Sequence, residues 1–338
     1  MTRIPGNSFK ETDIRPDRLM DRARELLEED TRRLMADKAT FVRVRCPACA
    51  SNRSEWVLEK RGMDFEICQD CATVYGNPRP SPERLKQYYV EAKYYDYWNQ
   101  YIYPQSEAAR RINIFRPRAE RILQICNRFG ISTRTLVEVG AGSGLFCEEM
   151  REFGVFKQIV AVEPTPASAE SCRGRGFRVV QDPIENVRLE EDDVDVVAAF
   201  EVIEHLFEPS RFITEAARLL PRGGLLVITC PNIKGFDLLV LRELSDTITP
   251  EHLNYFHPAS LTYLFHDCGF DVLEAATPGK LDAEIVRKKA LAGQFDLSGI
   301  GFLQEILVER WDEVGERFQE FLAANRLSSH MWITGRKK

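Results

Sequence analysis

The chain has 338 residues, 44% hydrophobic and 29% charged, with 46 Lys and Arg against 52 Asp and Glu, long enough to bury a large core and to form more than one unit. Its net charge of −6 argues against a broad nucleic-acid surface, because that affinity is driven mainly by Lys and Arg on phosphates. The opening Met1-Thr-Arg-Ile-Pro-Gly6 lacks the apolar centre of a secretion signal, and no run nears the ~18 apolar residues of a membrane span. A cytoplasmic protein without membrane insertion is expected. The local basic cluster Arg110, Arg111, Arg116, Arg118 and Arg121 is interleaved with Glu107 and Glu120 and reads as a mixed solvated face.

In chain order, residues 17–36 place Leu19, Met20, Ala23, Leu26, Leu27, Leu34 and Met35 at helical spacing, which predicts an amphipathic helix. Residues 41–77 alternate β-prone runs (Phe41–Val44, Phe65–Ile67) with paired cysteines, and Asn77-Pro-Arg-Pro-Ser-Pro82 marks a boundary. Seven of the ten tyrosines follow, between Tyr88 and Tyr103. They form either a packed helical cap or part of an acceptor or cofactor pocket, since a phenol offers an apolar face and a polar tip. A helix is predicted from 106 to 129, kinked at Pro117.

After Gly130 strands and helices alternate. Strands are predicted at 135–139, 158–163, 177–180, 194–200, 225–229 and 270–274, and helices at 145–153, 166–173, 209–220 and 258–268. Short apolar strands separated by amphipathic helices imply a parallel sheet covered on both faces. Residues 282–325 read as helices and 330–335 as a last strand. The organisation expected is a helical segment (1–40), a zinc-binding module (41–80), a Tyr-rich cap (81–129), a core (130–278 plus 328–338) and a helical insertion (279–327).

Two Cys-x-x-Cys pairs, Cys46/Cys49 and Cys68/Cys71, stand 18 residues apart. Each presents two thiolates to one ion, and together they complete a tetrahedral zinc site with no open position, hence a structural one. The remaining five of the nine cysteines sit among apolar neighbours and read as packing residues.

The second motif is Glu138-Val-Gly140-Ala141-Gly142-Ser-Gly144, joining a strand to a helix. Its glycines let a ligand approach the backbone where helix N–H groups point outward. The spacing differs from the G-x-G-x-x-G of nicotinamide sites. The next strand ends in Glu163, whose carboxylate can take both hydroxyls of a ribose. Asp182 follows the third strand, where an adenine amino group would lie. Phe200-Glu201-Val-Ile-Glu204-His205 ends the fourth, at the switch point where ligands sit in open α/β sheets.

With these residues, and with Pro221-Arg-Gly-Gly-Leu-Leu-Val-Ile and His252-Leu-Asn-Tyr-Phe-His-Pro-Ala-Ser260, residues 130–278 and the last strand resemble a class I S-adenosylmethionine-dependent methyltransferase. The resemblance implies a Rossmann-like, seven-stranded α/β sheet with an antiparallel last strand. It also implies S-adenosylmethionine as cofactor, packed on Glu138, Gly140, Ala141, Gly142 and Gly144, held by Glu163, and bordered by Pro164, Asp182, Phe200 and Glu201. The cysteines extend the similarity to zinc-binding methyltransferases of sugar and secondary-metabolite biosynthesis. In related sugar C-methyltransferases a Tyr-x-Glu-His segment supplies the base. This chain has Glu251 and His252 but Thr249 in the tyrosine's place, which leaves O- and N-methylation open.

A methyl sulfonium needs little activation, whereas the acceptor must lose a proton, so the catalytic groups should be bases near strand ends. Glu251 and His252 are expected to form that pair, with His205 next. The acceptor expected is a small molecule, a nucleotide sugar or glycan precursor. An RNA or protein methyltransferase docked through its zinc module is the alternative, and a non-catalytic zinc scaffold the third.

Overall fold

The structure, a computed structural model, describes residues 9–188 and 194–338. Eleven strands are assigned among them: β1 (Ser54–Lys60), β2 (Met63–Cys68), β3 (Val74–Gly76), β4 (Thr135–Val139), β5 (Gln158–Val162), β6 (Arg178–Val180), β7 (Val194–Phe200), β8 (Leu225–Pro231), β9 (Asn254–Tyr255), β10 (Phe270–Ala276) and β11 (His330–Lys337). Seven form one sheet in the order β10-β11-β8-β7-β4-β5-β6. β4, β5, β6, β7 and β8 pair in parallel, and β11 inserts antiparallel between β10 and β8. This is the α/β sheet expected, with its antiparallel last strand.

Alternate residues of the central strands feed two cores. Val197 and Ala199 of β7 pack with Phe212, Ile213 and Leu261 from helices Pro209–Leu219 and Pro258–Asp267. Val196, Ala198 and Phe200 pack with Ile122, Ile125 and Phe146 from helices Arg116–Phe129 and Leu145–Glu152. Every residue of β7 is buried, which is why it reads as a near-continuous apolar run, interrupted at Asp195, rather than an alternation.

Helices Asp282–Leu291 and Trp311–Ala324 share a separate apolar cluster with Leu241, built on Ala283, Val286, Leu307 and Leu322. The N-terminal helix, Asp17–Met35, packs Ala23 against Trp98 and Ile102. None of the described helices is long and apolar enough to cross a membrane.

Three local features differ from expectation. The run Phe41–Val44 makes one isolated bridge, Val42 to Arg79, and the first hairpin forms at β1 and β2 instead. The segment before Pro117 is a π-turn, Arg111–Phe115, between helices Tyr103–Arg110 and Arg116–Phe129. Pro117 has no N–H for the Asn113 carbonyl four residues back, and Lys280 Nζ lies 3.4 Å from that oxygen. Finally, β1, β2 and β3 form an antiparallel sheet completed by β9, from within the range expected for the core.

Candidate functional site

The four cysteines are gathered by two turns of the same geometry. In the first, Ala50 N–H donates to the Cys46 carbonyl and Cys46 N–H to the Ser51 carbonyl; in the second, Ala72 and Cys68 do the same with Cys68 and Thr73. The residue after each pair is left-handed, Ala50 at φ 57° and Ala72 at φ 58°. The turns bring Cys46 Sγ to 3.4 Å from Cys71 Sγ and Cys49 Sγ to 3.5 Å from Cys68 Sγ. All four sulfurs lie within 4.8 Å of one another, with no disulfide. Four thiols at this spacing fit a tetrahedral ion with Zn–S bonds of about 2.3 Å. His257 Nε2, 2.7 Å from the Cys71 carbonyl, ties the second turn to the start of helix Pro258–Asp267.

At the carboxyl end of β4 the chain turns through Gly140, Ala141, Gly142 and Gly144. Gly140 has φ 74°, and a Cβ there would meet Val202 Cγ2 at 2.6 Å. Gly142 has φ 54°, but a Cβ would meet nothing within 4 Å, so the space beside this residue is open to a ligand, whereas a Cβ at Gly144 would crowd Cys172 Sγ at 3.1 Å. Glu163, just past β5, accepts from Gly142 N–H at 2.8 Å and Thr165 N–H at 2.9 Å. Its burial raises the carboxyl pKa, and those two amides oppose the rise. Glu138 is buried inside β4 and accepts from the Cys147 thiol at 3.0 Å; burial pushes it up to about 8. Phe200 packs edge-on against Phe146 at 4.6 Å. Pro164 and Asp182 are exposed beyond the ends of β5 and β6.

Beyond β7 the backbone is forced through Glu201 at φ 55°, a left-handed conformation costly for a residue with a Cβ. Its carboxylate accepts from Thr229 Oγ1 at 2.6 Å and Arg118 Nη2 at 3.1 Å. His330 Nδ1 lies 3.4 Å away. The next turn, Ile203–His205, delivers Glu204 and His205 to one place.

The structure brings His205 and His252 together, with ring centroids 4.5 Å apart and planes at 79°. It does not pair His252 with Glu251 through their side chains as expected. The Glu251 carboxylate is turned the other way and accepts from the Tyr88 hydroxyl at 2.6 Å. His252 Nδ1 lies 2.9 Å from the Thr247 carbonyl. His205 Nδ1 lies 3.1 Å from the Tyr89 hydroxyl and 3.2 Å from the Glu251 carbonyl. Burial pushes His205 down to about 4 and holds His252 well below the ordinary imidazole value, where the neighbouring His205 adds to the effect. Burial raises Glu251 to about 7.

The carboxylate beside the imidazoles is Glu204, to which the sequence assigned no role of its own. The spacing Glu201-x-x-Glu204-His205 was the available signal. From the tyrosine run, the Tyr88 hydroxyl reaches the Glu251 carboxylate and the Tyr89 hydroxyl reaches His205 Nδ1.

Residues 108–275 match the family described as Methyltransferase domain. This segment is a methyltransferase domain. It contains the glycine loop, Glu163, Glu201, the histidine pair and Glu251, and the four cysteines lie outside it. A Mycobacterium tuberculosis protein named "Probable S-adenosylmethionine-dependent methyltransferase" is 33% identical over 142 residues, 41% of this chain and 49% of that protein. A ubiquinone biosynthesis O-methyltransferase of Maricaulis maris is 28% identical over 132 residues, 35% of this chain and 51% of its own length. The chain thus spans about half the length of the curated relatives it matches. Among solved structures, the sugar N-methyltransferase KedS8 of Streptoalloteichus is 25% identical with a TM-score of 0.33, over 36% of this chain and 50% of that one.

Proposed function

We propose that the protein is a cytoplasmic S-adenosylmethionine-dependent methyltransferase acting on a small molecule, a sugar, nucleotide-linked sugar or glycan precursor. The observation that carries the reading is the open glycine loop at the end of β4 with Glu163 beside it, inside a methyltransferase domain. Gly140 to Gly144 and Glu163 would hold the cofactor, with Ala141, Pro164, Asp182, Phe200 and Glu201 at its edge. The cofactor supplies an electrophilic methyl group. The chain supplies His205, shortly beyond β7, and Glu251 and His252, just before β9, to activate the acceptor. Cys46, Cys49, Cys68 and Cys71 would hold one structural Zn2+.

A cavity of about 150 Å³ between the N-terminal helix and the helical insertion suits an anionic acceptor. Tyr94 and Trp98 form part of its wall, with Arg15, Arg61, Lys288 and Lys289. Glu11, Asp17 and Asp246 engage Arg15, Lys288 and Lys289, but Arg61 Nη1 is buried without a partner. A phosphate group would satisfy it. Ring contacts run from Tyr94 through Tyr95 and Tyr89 to His205, so packed rings lie between this wall and the histidine pair.

The test is transfer of a labelled methyl group from S-adenosylmethionine to a panel of nucleotide sugars, RNAs and proteins. Labelled nucleotide sugar is the expected product. Labelling confined to RNA or protein would replace the acceptor class, and failure to bind the cofactor would overturn the reading.

A further inference from the structure

The Glu204 carboxylate is buried, 1% exposed, and its Oε2 has no hydrogen-bond partner. Leaving such an acceptor unsatisfied is unfavourable, more so if it is charged. The groups nearest to it in chemistry are the two imidazoles. The ligand atoms of Glu204, His205 and His252 all lie within 4.8 Å of one another, close to the span that one ion bridges with bonds of about 2.1 Å.

The tautomers favour the same occupant. His252 Nδ1 faces the Thr247 carbonyl and His205 Nδ1 faces the Glu251 carbonyl. A carbonyl only accepts, so His252 Nδ1 carries the proton and its Nε2 keeps its lone pair; at His205 the Glu251 carbonyl favours the same tautomer, with the Tyr89 hydroxyl at 3.1 Å able to accept from or donate to the same nitrogen. Backbone carbonyls holding Nδ1–H are the usual support for a metal-ligating histidine, because they fix the ring and raise its basicity. Both histidines keep some solvent exposure, whereas Glu204 is buried.

We infer that Glu204, His205 and His252 form a second metal site, distinct from the four cysteines, which binds a divalent cation and leaves open positions for an oxygen of the acceptor. Two imidazoles and one carboxylate suit Mn2+, Fe2+, Co2+ or Zn2+ rather than an ion that prefers thiolates. This deepens the methyl-transfer reading and rests on it for the role of the cation. The cation draws electron density from an acceptor hydroxyl, whose proton passes to water. The oxygen lone pair then forms the O–C bond, and the C–S bond breaks with its electron pair going to sulfur. In this arrangement the two histidines act as ligands, and a hydroxyl is the acceptor group that such a site selects.

The experiment is a titration of the zinc-loaded full chain with Mn2+, following the free-ion signal by electron paramagnetic resonance. Mn2+ is a hard ion and leaves the four thiolates to zinc. One Mn2+ per chain is expected, with affinity falling about tenfold or more in Glu204→Gln and in His252→Gln. Retained binding of S-adenosylmethionine by each variant shows that the fold survives. Absence of bound Mn2+, Co2+ and Zn2+ beyond the cysteine zinc overturns the site, as does unchanged affinity in both variants. Because this readout needs no acceptor, it is separate from methyl transfer. A protein that binds the cation but methylates nothing loses the functional reading and keeps the site. Full turnover in a chelator that strips the bound Mn2+ but leaves the cysteine zinc removes the cation's role in the reaction.

Discussion

The two carboxylate oxygens of Glu163 hold the loop that they border, one on Gly142 N–H and the other on Thr165 N–H. Each oxygen has a second lone pair, so the same side chain can take a ribose hydroxyl without releasing the backbone. Glu163→Ala removes both functions at once. Binding of S-adenosylmethionine should weaken by roughly 1.5–3 kcal/mol, the range for hydrogen bonds to a charged group, or about 10- to 150-fold in Kd. Calorimetry reads this directly, and an unchanged Kd would place the cofactor elsewhere. Gly140 is the less forgiving position, because its left-handed backbone and the Val202 methyl both exclude a Cβ.

Among the elements, one buried guanidinium strengthens the joint between the cysteine module and the core, alongside the β3–β9 pairing. Arg79 is fully buried, and its donors reach the carbonyls of Gly76, Phe207 and Leu253 and the Asn254 side chain. Asn254 in turn donates to the carbonyls of Ile203 and Leu206, which bracket Glu204 and His205. Replacement by Met leaves these buried acceptors without donors. A loss of about 2–4 kcal/mol in denaturant unfolding is expected, and a change under about 0.5 kcal/mol would show that water or repacking replaces the fork. None of this was legible in the sequence. The buried parallel strands were, because a strand covered on both faces is apolar at nearly every position, as Val194–Phe200 is except at Asp195. The antiparallel placement of β11 came from the family resemblance and not from periodicity. The two-residue β9 carries no pattern of its own, and the hydrogen bond from Tyr88 to Glu251 joins positions 163 residues apart. Contacts of that kind are set by packing, and no local spacing encodes them.

At the scale of the whole molecule, the cysteine turns and the histidine cluster are two ends of one piece of structure. β3 leaves the second cysteine turn and pairs with β9, which follows His252 by two residues. His257, three residues after Asn254, holds the Cys71 carbonyl. A segment as small as 41–77 cannot bury enough surface to fold unaided, so metal binding would supply its folding free energy. Removing zinc should therefore release more than the module. Hydrogen exchange is expected to accelerate across 41–77 and also across 249–257. The central strands β4 and β7 should keep their protection: Cys46, Ala48, Cys68 and Tyr75 join the core on one face, but helices Pro209–Leu219 and Pro258–Asp267 pack there too, and the core on the other face contains, among the described residues, none of 41–77. Methyl transfer should be lost with the histidine geometry, while cofactor binding at the glycine loop survives with reduced affinity at most. Single replacement of Cys46 or Cys68 by Ser should reproduce the pattern without a chelator. If exchange rose in 41–77 but stayed unchanged in 249–257, the zinc module would be an appendage, and the ordering of His252 would have to come from Thr247 and the contacts around Tyr255 alone.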